Sequence, residues 1–297
     1  MDLPLPATAL QPAAEAPPPV LLTPPPGARV AMVVASAHSG RLYPPAFVAA
    51  ARLDRLALRR SEDSFVDELF AAAPSVGAPL LAATFPRAYC DANREPWELD
   101  PAMFEEALPT WVNTGSARVG AGLGTIARVV ASGETIYRDK LRFAEAETRI
   151  ATLWQPFHDA LRGQIEETRR QFGACLLVDC HSMPGGSMAP RASADIVLGD
   201  AHGTACAPRV VRLVEQLLAG EGFSVRRNDP YAGGYITRHY GRPREGVHVL
   251  QVEINRGLYM DEARIEKLPG FAAVRARLSA LLGGIAAALP ALELARL

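Results

Sequence analysis

Short apolar runs alternate with stretches of helical period from residue 29 onward. Arg29–Ser36 (RVAMVVAS), Ala174–Cys180 (ACLLVDC) and Val247–Ile254 (VHVLQVEI) read as strands buried in a sheet. Pro79–Phe85 and Ala194–Leu198 read as further strands, with shorter ones at Ala88–Ala92 and Thr125–Ala131. Ser61–Ala73 reads as a helix, with Ser61 as N-cap and Phe65, Leu69 and Phe70 on one face. Ala144–Phe172 repeats Ile150, Leu153, Trp154, Phe157, Leu161 and Ile165 at helical spacing. Cys206–Ala219 and a C-terminal segment from about Asp261 complete the predicted helices. Apolar strands separated by helices predict an α/β fold: three layers, with a mostly parallel, twisted (mixed) sheet covered by helices on both faces. Residues 1–26, which include Pro17-Pro18-Pro19 and Pro24-Pro25-Pro26, read as an extended or disordered tail. Residues 27–297 then form one α/β domain, with no internal repeat.

Composition narrows the classes of function. With 49% apolar and 21% charged residues among 297, the chain can bury a sizeable core. Lysine plus arginine (31) nearly cancels aspartate plus glutamate (32), which gives nucleic acid or an anionic membrane no electrostatic hold. The four cysteines, Cys90, Cys175, Cys180 and Cys206, form no paired metal-binding spacing and too sparse a set for a disulfide scaffold. The longest membrane candidate, Leu278–Leu292, is short and broken by Gly283, Gly284 and Pro290. The first positive charge is Arg29, so no secretory or transit signal is read. A soluble, cytoplasmic protein is expected.

In sheets of this kind, functional groups collect at the carboxyl ends of strands. One strand runs into Ser36-Ala37-His38-Ser39-Gly40, another into Asp179-Cys180-His181-Ser182, and the last into Glu253-Ile254-Asn255-Arg256. Two histidines and a carboxylate suit Zn²⁺, with a coordination position left open for water. His38 and His181 are the nitrogen candidates, and the carboxylate comes from Glu62 or Asp63. Asp179 shares a strand face with His181 and is placed to orient it. Glu253 closes an apolar strand, where a carboxylate is costly unless paired or at work, and is the candidate general base. Arg87 is a candidate oxyanion donor, while Arg94, directly after Asp91-x-Asn93, suits a substrate carboxylate. The segment Asp229–Pro243 reads as a specificity loop: Gly234 allows close backbone approach, and Tyr235, Thr237 and Arg238 supply directional hydrogen bonds.

Taken together, His38-Ser39-Gly40 with Tyr43-Pro44, Asp63, Arg87 through Asp91-x-Asn93-Arg94, Asp179-x-His181-Ser182, Gly233–Pro243 (GGYITRHYGRP) and Glu253 resemble the N-formylglutamate amidohydrolase family. That family is similar in fold and metal-site logic to zinc carboxypeptidases and aspartoacylases. The resemblance covers residues 29 to 265. It implies a zinc-exopeptidase-like fold and hydrolysis of a small anionic N-acyl amino acid, N-formyl-L-glutamate in the type reaction. It also implies Zn²⁺ or another divalent metal on His38, Asp63 and His181, and so favours Asp63 over Glu62, with Glu253 as acid/base. Residue 41 is Arg41 where the carboxypeptidase scheme carries a ligating glutamate three after its histidine, so the third ligand comes from a distant segment. Deacylation of another N-acyl amino acid, or metal-free capture of an anionic amino acid, are the competing readings.

Overall fold

The structure, a computed structural model, describes residues 17–185 and 194–295. Its strands are β1 (Val20–Thr23), β2 (Met32–Ser36), β3 (Leu80–Ala83), β4 (Cys175–Met183), β5 (Ile196–Gly199), β6 (Val225–Arg227), β7 (Val247–Asn255), β8 (Met260–Asp261) and β9 (Glu266–Lys267). Its α-helices are α1 (Pro45–Ala50), α2 (Arg55–Arg59), α3 (Val66–Leu69), α4 (Ala117–Gly120), α5 (Phe143–Arg149), α6 (Gln155–Phe172), α7 (Pro208–Gly220), α8 (Tyr235–Tyr240) and α9 (Phe271–Ala288). Seven strands form one sheet in the order β1-β3-β2-β4-β7-β5-β6, and β8 and β9 pair as a separate ribbon. The interior pairs β3/β2, β2/β4 and β4/β7 are parallel, as is β5/β6. The pairs β1/β3 and β5/β7 are antiparallel, so the sheet is mixed.

The central strands are apolar on both sides because both sides are covered. Val34, Leu176 and Val178 pack with α3, α7 and α9 on one face. Val33, Ala35, Leu177 and Val249 pack with α6 on the other. A third cluster gathers Tyr43, Phe47, Leu58 and Leu99 with Ile126 and Ile136 from the long connection before α5. Strands β4 and β7 run parallel for nine residues, from Cys175 opposite Val247 to Met183 opposite Asn255. This register sets His181 directly beside Glu253.

Several predicted elements are corrected. Residues 1–16 of the expected tail lie outside the described residues, but Val20–Thr23 forms edge strand β1. Leu21 stays 57% exposed, so main-chain pairing with β3, rather than burial, holds this Pro-flanked segment. The helix expected from Ser61 starts only at Val66, because Phe65 takes the left-handed conformation (φ 67°) and breaks the helical turn. Ala88–Ala92 and Thr125–Ala131 are turns and loop rather than strands. Gly234 leads into helix α8, so the predicted specificity loop is half helical. The C-terminal helix starts at Phe271, since Met260–Lys267 is occupied by the β8/β9 ribbon. By length and composition Phe271–Leu292 could cross a membrane. Here Phe271, Val274, Leu278, Leu281, Leu282 and Ile285 are buried in the core. The long helical period at Ala144–Phe172 does appear, as α5 and α6 joined through a wide π-helical stretch at Ile150–Trp154.

Candidate active site

A cavity of about 450 Å³ opens above the carboxyl ends of β2, β4 and β7. This size falls within the usual range for a small-molecule site. His38 leaves the end of β2 at a turn where backbone meets backbone: a Cβ on Gly40 would lie 2.0 Å from the Phe85 carbonyl oxygen. Asp63 sits in the loop before α3, its amide donating to the His38 carbonyl at 3.1 Å. His181 sits two residues before the end of β4. All three side chains are buried, and their candidate ligand atoms lie within 4.8 Å of one another.

The orientation of the imidazoles is informative. His38 Nε2 is 2.7 Å from Asp91 Oδ1, and His181 Nε2 is 2.9 Å from Asp179 Oδ1. A carboxylate only accepts, so each Nε2 carries its proton and donates it. In a neutral ring this leaves a lone pair on Nδ1. His38 Nδ1 lies 3.2 Å and His181 Nδ1 2.9 Å from the same oxygen, Asp63 Oδ2. Two lone pairs aimed at one carboxylate oxygen repel unless a cation or added protons come between them. Bonds of ~2.0–2.2 Å to a tetrahedral ion would set such atoms roughly 3.4 Å apart. The donor set of two imidazole nitrogens and a carboxylate therefore fits a divalent metal of the zinc type. The other Asp63 oxygen is held by Arg256 Nη2 at 3.0 Å and Ser182 Oγ at 3.2 Å.

The charges are strongly coupled. Burial would raise Asp63, but with the imidazoles protonated, hydrogen bonds from His181 and His38 hold its carboxyl well below the usual range. Burial would lower His181, but Asp179 and Asp63 more than offset it and keep the imidazole well above its ordinary value. Asp91, likewise opposed by burial, is held down by Arg87, His38 and Arg94. Glu253 behaves the other way. Burial, aided by Asp63, pushes it up to about 7 against the pull of His181. Its Oε1 accepts from Gln251 Nε2 at 2.9 Å.

The remaining predicted residues divide. Arg87 lines the cavity, 21% exposed, and donates from Nη2 to Asp91 at 2.7 Å. Asn93, Arg94, Gly234 and Arg238 line the cavity too. Asn93 Oδ1 accepts from the Ile236 amide at 2.8 Å, and Gly234 must be glycine because a Cβ would meet the Asn93 side chain at 2.3 Å. Arg94 is nearly buried, donating to the carbonyls of Leu123 and Asn93, both at 2.8 Å. Two side chains are placed differently from their predicted use. Thr237 is fully buried with Oγ1 3.4 Å from Asp179, supporting that carboxylate rather than lining the cavity. Tyr235 stacks on His239 with ring centroids 4.8 Å apart, away from the cavity walls. Glu62 turns from the histidines and accepts from Tyr43 and Ser64, while Asp63 lies within reach of both imidazoles.

Sequence reasoning did not assign roles to Asp91, Arg256 or Gln251. Asp91 was legible only as part of Asp-x-Asn, and Arg256 reads equally well as a partner for Glu253. Two aromatic groups behind the site, one of them read only as part of a helical period, were not assigned to it. Trp154 donates from Nε1 to the Arg94 carbonyl at 3.0 Å, and His158 Nε2 lies 2.8 Å from the Ala92 carbonyl. Both brace the Asp91–Arg94 segment from α6 and the π stretch before it.

Comparison with known proteins shows the family. The N-formylglutamate amidohydrolase family model matches residues 30–260. The N-formylglutamate deformylase of Pseudomonas aeruginosa is 30% identical over 241 residues, spanning 79% of this chain and 84% of that protein. The deformylase of Pseudomonas putida is 28% identical over 205 residues, 67% of this chain and 71% of its own. The crystal structure of N-formylglutamate amidohydrolase from Ralstonia eutropha superposes with a TM-score of 0.87 at 40% identity, covering 92% of this chain and 99% of that one. An Agrobacterium tumefaciens protein at 20% identity shares the fold, with a TM-score of 0.65, over 92% of this chain and 97% of its own. The chain belongs to the N-formylglutamate amidohydrolase family, hydrolases of an amide bond.

Proposed function

We propose that this protein is a metal-dependent deformylase, converting N-formyl-L-glutamate and water to formate and glutamate. The observation that carries this reading is the convergence of His38 and His181 Nδ1 on one oxygen of Asp63, with Glu253 beside His181 in the same cavity. His38, Asp63 and His181 would hold the metal, Zn²⁺ being the best match to the donor set. A divalent cation there would supply Lewis acidity to the formyl carbonyl and to the attacking water.

The chain's own groups account for the proton transfers. Glu253 accepts a proton from water as the oxygen attacks the formyl carbon, then gives it to the departing nitrogen as the C–N bond breaks. A carboxyl held near 7 can serve in both directions at neutral pH. Arg87, at the cavity wall, donates to the oxygen that gains charge in the tetrahedral intermediate. Arg94, immobilised by two carbonyls, and Arg238 bind the amino-acid portion, with Asn93 fixing the wall between them. Asp91 and Asp179 keep the imidazoles in the tautomer that presents Nδ1. The test is product analysis. N-formylglutamate should give stoichiometric formate and glutamate, and N-acetylglutamate should react far more slowly. Faster release of acetate would replace the deformylase reading with a general deacylase.

A further inference from the structure

The roles assigned above give the substrate's second carboxylate no partner of its own, while Arg118 lines the cavity without a role. Of the arginines lining it, Arg87 is paired with Asp91 and Arg256 with Asp63. Arg94 is 3.9 Å from Asp91, whose oxygens are already engaged by His38 and Arg87. Arg118 and Arg238 form no side-chain ion pair among the described residues. One substrate carboxylate cannot compensate this surplus, whereas two can.

Arg118 is also fixed to the Arg94 side of the cavity. Arg94 Nε donates to the Leu123 carbonyl, and the Leu123 amide donates to the Arg118 carbonyl, each at 2.8 Å. Helix α4, which carries Arg118, is capped by Ser116, whose Oγ accepts from the Val119 amide at 3.0 Å. Burial, with Arg118 among the neighbouring cations, pulls the Arg94 guanidinium down to about 10. A carboxylate facing Arg94 and a second facing Arg118 would offset this repulsion. We propose that Arg118 is a subsite for a carboxylate on the side chain of the substrate amino acid, so that acidic N-formyl amino acids are selected over their neutral amides. This deepens the deformylase reading and rests on it: Arg94 takes the α-carboxylate and Arg118 the distal one.

The experiment compares L-glutamate with L-glutamine by titration calorimetry, using metal-loaded wild type, Arg118→Gln, Arg118→Lys and Arg238→Gln. Formate release from N-formylglutamate and N-formylglutamine is followed in parallel. Loss of a charge-assisted hydrogen bond predicts that Arg118→Gln weakens glutamate binding roughly 10- to 100-fold. Glutamine binding should change little. The kinetic loss should fall on KM for N-formylglutamate, with kcat preserved, and Arg118→Lys should recover part of it. Equal losses on both ligands, or no loss, overturn the subsite. So does a collapse of the glutamate preference in Arg238→Gln with Arg118→Gln silent. A wild type that discriminates glutamate through Arg118 yet releases no formate supports the subsite while refuting the deformylase reading.

Discussion

Glu253→Gln separates function from stability. The side chain is 8% exposed, and its carboxyl is pushed from 4.5 up to about 7 by burial in the folded protein. Below pH 4.5 it is protonated in both folded and unfolded chains and costs nothing. Between 4.5 and 7 the unfolded chain releases the proton while the folded one keeps it, so stability falls as pH rises. Above 7 the penalty is complete, and ~2.5 pH units correspond to about 3 kcal/mol. Glutamine keeps the shape, and its amide oxygen can still accept from Gln251 without the charge. The metal-stripped variant should therefore be more stable than stripped wild type at pH 8, by up to about 3 kcal/mol, and indistinguishable at pH 4. Urea titrations at the two pH values measure this. The same substitution should lower kcat for formate release by roughly 10²–10⁴, the scale of a lost general base. A variant that is no more stable at pH 8, or that turns over at the wild-type rate, would refute the assignment.

Three further outcomes are expected. Asp179→Asn should lower metal affinity roughly 10- to 100-fold by releasing the His181 ring, read by competition with a chromophoric chelator while the fold is preserved. Gly234→Ala should raise KM and leave the core intact, because the new Cβ displaces the Asn93 side chain at 2.3 Å rather than packed backbone. Trp154→Phe should cost about 1–3 kcal/mol in denaturant titration, because the buried Arg94 carbonyl loses its donor.

The core of the site was readable because the chemistry follows the sheet. β2 is apolar up to Ser36, and apart from His248 the polar residues of β4 and β7 begin only at Asp179 and Gln251, so His38 just past β2, His181 and Glu253 stand out near strand ends. The choice between Glu62 and Asp63 was not readable from spacing alone. It depends on the left-handed Phe65, which delays α3 and leaves Asp63 in a loop whose amide meets the His38 carbonyl. Arg256 eluded assignment for a similar reason: as the first residue of the 3-10 turn that follows β7 it reaches Asp63 and Ser182 rather than Glu253. The strand hidden among N-terminal prolines carries only four residues and little buried area, so periodicity had nothing to detect. Thr237 and Tyr235 were misassigned because a donor-rich stretch was read as loop, whereas the helix α8 turns Thr237 toward Asp179 and Tyr235 toward His239.

The most direct measurement strips the purified protein with chelator and titrates Zn²⁺ back while formate release is followed. One ion per chain should restore turnover, and Asp63→Asn should neither retain the ion nor recover activity. Full formate release by stripped protein, or undiminished zinc binding without Asp63, would contradict the account.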